Sequence, residues 1–193
     1  ASFVYPLTRE SRWETLHKRR SHTIRQAVEG YLLSNSEEQF ISINYLEIGA
    51  GTGDTAERFR SDSADLNVKV GVTEANPEMR NALARSKIRC VSLEDVPEAS
   101  QQVVAAFEVL EHLLKPAEFL ELAFSKLCEG GLFVFSTPNP LSLEVQILRQ
   151  DSSTLDQEHI SVMSMAGLAI AATKLGFKAV SYTHLRAHET VLD

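Results

Sequence analysis

Cysteine, basic side chains and long apolar runs are all scarce in this 193-residue sequence. The two cysteines, Cys90 and Cys128, are too few for a disulfide framework and lack metal-ligand spacing, so we expect a reduced, cytoplasmic environment. Lys and Arg number 19 against 26 Asp and Glu, and the net charge of -7 argues against a general attraction to nucleic acid. Since no apolar run is long enough to cross a bilayer, we expect no membrane span.

The residues that are present have the composition of a globular domain. A hydrophobic content of 44% in a chain of this length can form one buried core, which predicts a single main domain. The sequence begins with Ala1 rather than Met, so we expect the natural N-terminus to lie upstream. Residues 1–40 are predicted to be an N-terminal helical segment, because apolar residues between Trp13 and Leu32 recur at helical spacing. The basic run from Lys18 to Arg20 is interpreted as a solvated helix face.

From residue 43 onward, short apolar runs alternate with helical patterns. Predicted strands cover residues 43–48, 68–74, 88–92, 103–108 and 132–137, and predicted helices cover 55–60, 77–86, 116–127, 143–149 and 164–175. This alternation predicts an α/β fold, a doubly wound, mostly parallel Rossmann-like sheet with helices on both faces. Gly130 and Gly131 are interpreted as the stop signal of the helix that ends at Leu127, and Phe177 as the start of a sixth strand.

The stretch from Tyr45 to Asp54 organises this pattern. The first predicted strand ends in three alternate glycines, Gly49, Gly51 and Gly53, directly before a helix. Glycine suits such a turn because it tolerates positive φ and lets a ligand approach the backbone. The free N–H groups of the following helix then favour a small-molecule site at the turn. A dinucleotide site would place its third glycine at position 54, which is Asp54, so a nucleotide-dependent oxidoreductase is not favoured.

An acid follows at the end of the next predicted strand. Glu74 lies 21 residues beyond Gly53 (74 minus 53), a separation at which a carboxylate reaches the ribose hydroxyls of a nucleoside ligand. The Gly-x-Gly-x-Gly pattern, led by Glu47, resembles the first motif of class I S-adenosylmethionine-dependent methyltransferases, and the resemblance extends over residues 43–178. It implies that S-adenosyl-L-methionine is the cofactor, with Glu94 near the adenine and Phe107 either lining the pocket floor or serving as a core aromatic. The cofactor-binding residues that it implies are Glu47, Gly49, Ala50, Gly51, Gly53, Asp54, Glu74, Ala75, Leu93, Glu94 and Phe107.

A second group of residues concerns the acceptor. The stretch Phe107 to Leu113, with the strand and loop from Leu132 to Pro140, resembles a subset that includes ubiquinone-pathway O-methyltransferases and small-RNA 2'-O-methyltransferases. The resemblance implies two roles for these residues: His112 or His159 as the base that deprotonates an oxygen acceptor, and a site for Mg2+ or another divalent metal formed by Glu108, Glu111, His112 and His159. Many relatives carry a similar Glu-His pair without a metal, so a metal-free alternative stays open in which His112 acts as a base or only hydrogen-bonds the loop. Leu113 and Leu114 stand where the small-RNA enzymes carry a further histidine, which argues against an RNA substrate.

Together these patterns lead us to expect an S-adenosylmethionine-dependent methyltransferase that transfers methyl to an oxygen of a small-molecule acceptor. Two alternatives stay open. One is a metal-dependent 2'-O-methyltransferase acting on nucleic-acid 3' ends, and the other is a non-catalytic cofactor-binding relative. In members of the superfamily an N-terminal segment often covers the cofactor pocket, so the resemblance implies that residues 1–40 form a lid.

The end of the sequence has a separate interpretation. Residues 180–190 back-translate into a transposase adaptor that is used in sequencing libraries. We therefore interpret residues 180–193 as an artefact and give His184 and His188 no functional role. The methyltransferase domain is then expected to cover residues 41–179, and the final strand of the fold is expected to be missing.

Overall fold

The structure, a computed structural model, describes residues 8–33, 42–84, 88–155 and 157–179. The chain divides into two compact units. The first unit comprises Ala1–Ala105 and Lys126–Val134, and the second comprises Ala106–Ser125 and Phe135–Asp193. The segment 180–193, interpreted above as an artefact, lies outside the described residues.

A five-stranded sheet forms the centre of the first unit, and only the last residues of its fourth and fifth strands belong to the second unit. The spatial order of the strands is β3-β2-β1-β4-β5. Strand β1 pairs in parallel with β2 and β4, and β2 pairs in parallel with β3. In chain order the strands are β1 (Ile43–Ile48), β2 (Val68–Thr73), β3 (Arg89–Cys90), β4 (Gln101–Phe107) and β5 (Leu127–Ser136).

The burial pattern explains why these residues form a covered sheet. Every residue of β1 except Asn44 is buried, and so are the last five residues of β4. Because consecutive residues of a strand point to opposite faces, such strands must be covered on both sides. Helix α2 (Asp54–Asp62) follows β1 and helix α3 (Pro77–Leu83) follows β2, as parallel connections require. The predicted doubly wound α/β fold is confirmed.

Helix α1 precedes the sheet and consists of four consecutive segments. Arg9–Arg12 and Lys18–Ala27 are α-helical, whereas Trp13–His17 and Val28–Leu33 have π-helical geometry. The residues that α1 buries recur every three or four positions, so one face of the helix packs against the unit. They are His17, Ser21, Ile24 and Val28.

Polar contacts hold this buried face of α1 on α2 and on the turn that follows it. Ser21 Oγ donates to Asp62 Oδ2 at 2.6 Å. The Arg25 guanidinium donates to both carboxylate oxygens of Asp65 at 2.6 Å. The helical prediction for the N-terminal segment therefore agrees with the described residues 9–33, while residues 1–7 and 34–41 lie outside them.

The second unit has three helices among its described residues. Helix α4 (Pro116–Lys126) begins at a proline, which a first helical turn tolerates. Helices α5 (Leu143–Leu148) and α6 (Met165–Lys174) begin after serine caps, since the Oγ atoms of Ser142 and Ser164 accept hydrogen bonds from backbone N–H groups three residues on. Short 3-10 turns cover Leu110–His112, Arg149–Asp151 and Ser153–Leu155.

Two predictions near the end of the sheet need correction. The glycine pair does not stop a helix before a strand at Leu132, because β5 already begins at Leu127 and includes both glycines, as well as Cys128. The backbone requires glycine there: Gly130 has a φ of 73°, and a Cβ on Gly131 would lie 2.9 Å from the carbonyl oxygen of Cys128. The predicted sixth strand is absent from residues 177–179, and its remainder lies outside the described residues.

None of the helices in the described part of the chain is long and apolar enough to cross a membrane.

Candidate active site

The predicted glycine turn connects β1 to α2, and its glycines adopt the left-handed conformation. The φ angles of Gly49, Gly51 and Gly53 are 71°, 57° and 78°. The N–H groups of Gly49 and Ala50 both donate to the carbonyl of Thr73 at 3.0 Å, which fixes the turn against the end of β2. Residues with a side chain rarely adopt this conformation, so the backbone itself requires glycine at these positions.

Two of these glycines, Gly51 and Gly53, differ in their surroundings. A Cβ on Gly51 would meet no atom within 4 Å, so the backbone at Gly51 borders open space. A Cβ on Gly53 would lie 2.6 Å from Leu83 Cδ2 and 3.5 Å from Ile88 Cδ1. The backbone at Gly51 is therefore open to a neighbouring group, whereas Gly53 allows α2 to begin in close contact with buried apolar side chains.

Glu74 lies at the rim of the same turn. One oxygen of its carboxylate accepts a hydrogen bond from Gly51 N at 2.7 Å, and the other accepts from Asn76 N at 2.8 Å. Asn76 in turn caps α3 by accepting from Glu78 N, and Ala75 between them is exposed. Each carboxylate oxygen has two lone pairs, so Glu74 can accept further hydrogen bonds from a ligand at Gly51.

Asp54, the first residue of α2, is buried and bound to the N-terminal helix. Its Oδ1 accepts from Arg9 Nη2 at 2.7 Å, and its Oδ2 accepts from Thr52 Oγ1 at 2.8 Å. Burial raises the pKa of Asp54, but the hydrogen bonds from Arg9 and Thr52 outweigh it, so the pKa lies below its ordinary value. The carboxylate therefore stays charged and links α1 to the start of α2.

Glu47 lies inside the unit, under the glycine turn. Its carboxyl group is buried and accepts a hydrogen bond from the Tyr45 hydroxyl at 2.8 Å. Burial raises the pKa of Glu47 to about 7, and the nearby Asp54 carboxylate contributes in the same direction. The hydrogen bond directs this carboxyl toward Tyr45, and a cofactor role for Glu47 stays a prediction.

The remaining predicted cofactor residues lie farther along the first unit and at the start of the second. Leu93 and Glu94 belong to the short turn Leu93–Asp95. Glu94 is exposed, and a hydrogen bond from the Ser92 hydroxyl lowers the pKa of its carboxyl group. Phe107, the last residue of β4, is buried. Their assignment to adenine and to the pocket floor stays a prediction.

The second unit contains the predicted acceptor-side residues. One ligand atom from each of Glu111, His112 and His159 lies within 4.8 Å of the others. The two imidazole rings are 5.0 Å apart between centroids. Glu111 is completely buried: its Oε2 accepts from Thr137 Oγ1 at 3.1 Å, and its Oε1 has no hydrogen-bond partner among the described residues. A buried carboxylate oxygen without a donor indicates a position that a ligand or ion can satisfy.

Backbone carbonyls determine the tautomers of both histidines. His112 Nδ1 lies 2.9 Å from the carbonyl oxygen of Glu158, and His159 Nδ1 lies 2.9 Å from that of Thr154. A carbonyl oxygen only accepts, so both rings must donate from Nδ1. In the neutral ring the lone pair is then on Nε2, which is the atom that a base or a metal ligand needs.

Glu108, predicted as a fourth metal ligand, is not among the three clustered residues. Its carboxylate accepts from Ser136 Oγ at 2.5 Å, and its backbone N–H donates to the Ser136 carbonyl at 3.0 Å. Its φ of 55° is unusual for a residue with a side chain. The pKa of Glu111 is raised, first by burial and then by the Glu108 carboxylate, so the two carboxyl groups are close enough to influence each other.

Sequence reasoning missed Thr137, which contacts Glu111, and Ser152 and Thr154, which build the loop around His159. Thr137 could have been found, because it is the last residue of a predicted strand, and the carboxyl ends of such strands border the site in a parallel sheet. Ser152 and Thr154 carried no such signal, since they stand in a polar stretch without periodicity.

The parallel sheet, the glycine turn after its central strand and the acid at the end of the next strand define a Rossmann-like methyltransferase fold of class I. The chain belongs to the methyltransferase domain family, whose model matches residues 16–182.

A curated relative supports the same assignment. A protein of Mycolicibacterium smegmatis, named as a probable S-adenosylmethionine-dependent methyltransferase, is 36% identical over 100 residues, which are 50% of this chain. The match covers 38% of that protein's length.

Solved structures resemble the chain in fold. A SAM-dependent methyltransferase from Thermotoga maritima superposes with a TM-score of 0.57 and 20% identity, covering 88% of this chain and 77% of that one. A plantazolicin methyltransferase in complex with SAH superposes with a TM-score of 0.59 and 13% identity, covering 87% and 65%. At these identities the likeness concerns the fold alone.

Proposed function

We propose that the chain is an S-adenosylmethionine-dependent methyltransferase that methylates an oxygen of a small-molecule acceptor. The observation that carries the cofactor assignment is the pairing of Gly51 with Glu74 at the carboxyl end of the sheet. Gly51 leaves open space at the turn, and Glu74 is hydrogen-bonded to its N–H group at 2.7 Å. A carboxylate held there can accept hydrogen bonds from the two hydroxyls of a ribose.

The residues of the first unit fit this cofactor. The start of α2 offers free N–H groups and the positive end of the helix dipole to a bound group. Glu74 would hold the ribose, and Ala50 and Gly51 would let the methionine portion approach the backbone. When bound, S-adenosylmethionine supplies a methyl group activated as a sulfonium, so the protein needs to bind, align and exclude water.

The residues of the second unit support an oxygen acceptor. Neutral His112 and His159 carry their lone pairs on Nε2, and either can accept a proton from an acceptor hydroxyl. The buried Glu111 carboxylate can stabilise the imidazolium that forms. A net charge of -7 disfavours a polyanionic acceptor such as nucleic acid, which supports a small molecule. A lid role for residues 1–40 is part of this proposal.

Calorimetric titration with S-adenosylhomocysteine tests the cofactor assignment. We expect saturable binding that Glu74→Ala weakens by about 2 kcal/mol, because a charge-assisted acceptor is lost. Glu78→Ala is the matched control, since Glu78 contributes only its backbone N–H to the same turn. A folded protein that does not bind S-adenosylhomocysteine would overturn the proposal.

A second candidate is a metal-dependent variant of the same reaction. It is favoured by the unsatisfied Oε1 of Glu111 beside two imidazoles. One carboxylate and two imidazoles suit Mn2+, Fe2+, Co2+ or Zn2+ better than Mg2+, which prefers oxygen ligands. Glu111, His112 and His159 would hold the ion, which would orient an acceptor hydroxyl and lower its pKa.

Titration with Mn2+ alone, followed by electron paramagnetic resonance, tests the metal. We expect one bound ion per chain, and loss of binding in Glu111→Gln, which keeps the shape of the side chain but removes its charge. Glu118→Gln, on an exposed position of α4, is the control. If Mn2+ does not bind, or binds equally to the Glu111 variant, the metal-free reaction stands.

A further inference from the structure

Ser152 is a buried serine at the centre of the loop that precedes His159. Its Oγ donates to Glu144 Oε1 on α5 at 2.9 Å and accepts from Thr154 N at 3.2 Å. Its backbone N–H donates to the Arg149 carbonyl at 3.0 Å, and its carbonyl accepts from Leu155 N at 3.0 Å. Four hydrogen bonds thus converge on a residue that is only 3% exposed.

The loop that contains Ser152 places one backbone group, the Thr154 carbonyl, next to His159. The Thr154 carbonyl accepts a hydrogen bond from His159 Nδ1 at 2.9 Å, and Thr154 itself is buried. An unrestrained imidazole divides its proton between the two nitrogens. Because the carbonyl is held in place, His159 keeps its proton on Nδ1 and its lone pair on Nε2.

The loop needs this support because its beginning is strained. Arg149, directly after α5, has a φ of 52° and a ψ of -121°, a combination that side chains disfavour. Such strain persists only where surrounding contacts determine the conformation. The hydrogen bonds of Ser152 to the Arg149 carbonyl and to Glu144 are contacts of this kind: one holds the strained residue itself and the other holds the helix before it.

We propose that Ser152 is a positioning residue, which, bonded to Glu144, holds the Thr154 carbonyl against His159 and thereby fixes the tautomer of that histidine. That tautomer leaves the lone pair of the neutral ring on Nε2, and His159 contributes one atom to the cluster with Glu111 and His112. The effect on turnover rests on the proposed function, since it needs His159 to take part in the reaction. The effect on the tautomer does not depend on that function.

Nuclear magnetic resonance tests the tautomer directly. Long-range correlation between ring protons and nitrogens of the 15N-labelled full chain, at a pH where the imidazoles are neutral, reports which nitrogen carries the proton. His159→Gln identifies the signal. We expect a pure Nδ1–H form in the unmodified protein and a mixture with substantial Nε2–H form in Ser152→Ala.

Ser164→Ala is the matched control, because it removes a serine hydroxyl from the same unit, where Ser164 caps α6. It should leave the His159 signal unchanged. An unchanged signal in Ser152→Ala, or an Nε2–H form in the unmodified protein, would overturn the proposal.

A second pair of variants changes the other partner of the Ser152 hydrogen bond, Glu144 on α5. These variants keep the proposal testable if Ser152→Ala does not fold. Glu144→Gln keeps an oxygen that accepts from the Ser152 hydroxyl, so it should retain the tautomer of the unmodified protein. Glu144→Leu removes the acceptor and should give the same mixture as Ser152→Ala. Equal spectra for the Gln and Leu variants would contradict the role of this hydrogen bond.

Turnover provides the functional readout. We expect Ser152→Ala and Glu144→Leu to lower kcat about tenfold, with the KM for S-adenosylmethionine unchanged, as for other residues that orient a functional histidine. Glu144→Gln should restore kcat. A changed tautomer with unchanged kcat would refute the link to the reaction. If the unmodified protein has no turnover, the proposed function fails, and the spectra still decide the role of Ser152.

Discussion

The acidic side chains of the two units differ in how their buried oxygens are satisfied. In the first unit, Asp54 binds Arg9 and Thr52, and Glu47 binds Tyr45. In the second unit, one oxygen of the fully buried Glu111 has no donor among the described residues. The first arrangement is complete without a ligand. The second leaves one acceptor without a donor, at a position that a ligand or ion can satisfy.

The two units also differ in how many large apolar side chains they expose. Among the described residues, twelve large apolar side chains are exposed, and only Met79 belongs to the first unit. The other eleven lie in the second unit; they include Leu141, which follows β5, and Leu143, Ile147 and Leu148 of α5. Exposed apolar groups in such number are typical of a surface that contacts another molecule or segment. The second unit therefore exposes more apolar surface that another molecule or segment can cover than the first unit does.

The largest expected effect concerns the rigid packing of the first unit at Gly53. Gly53→Ala should lower the free energy of unfolding by about 3 kcal/mol, because it combines an unfavourable left-handed conformation with overlap against Leu83. Gly51→Ala is the matched variant and should cost only about 1 kcal/mol, since its Cβ would meet open space. Urea denaturation measures both. Equal losses would mean that packing at Gly53 does not matter.

A second prediction uses the buried Glu47. Its pKa is near 4.5 in the unfolded chain and about 7 in the folded protein, so the folded state binds more protons between these values. Stability contributed by the protonated carboxyl should therefore fall as the pH rises from 4.5 through 7, by about 3 kcal/mol in total. Glu47→Gln, which keeps an acceptor for Tyr45, should abolish this fall and be the more stable protein at pH 8.

His17 makes stability depend on pH in the opposite direction. Its contribution must be separated from that of Glu47 in the same experiment. Burial lowers its pKa, so the folded state favours the neutral ring that lies 2.8 Å from the Thr55 hydroxyl. Stability should thus be lost as the pH falls below 6.5. Denaturant titrations of His17→Gln and Glu47→Gln at several pH values resolve the two. If Glu47→Gln shows the unmodified pH profile above 6.5, the assignment to Glu47 is wrong.

The contrast between the units also explains what the sequence could predict. The glycine turn, Glu74 and the alternating strands of the first unit depend on local backbone requirements, and these leave signatures such as Gly-x-Gly-x-Gly. Three of the four residues predicted for the acceptor side do cluster: Glu111 and His112 are neighbours in the turn after β4, and His112 contacts the Glu158 carbonyl beside His159. The individual contacts were not predictable. Glu108 bonds Ser136 and Ser152 bonds Glu144, and no sequence pattern links either pair. Glu47 and Tyr45 lie two residues apart on one face of β1, but this spacing does not show that the carboxyl bonds the hydroxyl.

A third prediction tests the unsatisfied oxygen of the second unit. Glu111→Leu should leave the ligand-free protein as stable as before or stabilise it by about 1 kcal/mol, because it removes a buried carboxylate of which one oxygen lacks a donor. The same change should lower turnover about 100-fold, the usual order for a group that supports acid–base catalysis. Asp54→Leu in the first unit should instead destabilise, since Arg9 and Thr52 lose their partner. Urea denaturation and turnover measurements on both variants test whether the buried carboxylates of Glu111 and Asp54 differ in this way.

The smallest expected effect concerns Arg9, the residue that joins α1 to the start of α2. Its side chain is 79% exposed, so water screens its ion pair with Asp54, and Arg9→Ala should cost only about 0.5 kcal/mol of stability. If α1 acts as a lid, however, the same variant should weaken S-adenosylhomocysteine binding more than it weakens the fold, because Asp54 directly follows the glycine turn. Lys18→Ala, which breaks an exposed ion pair with Glu14 within α1, is the control. Equal effects of the two variants on affinity would mean that α1 packs on the unit without any part in cofactor binding.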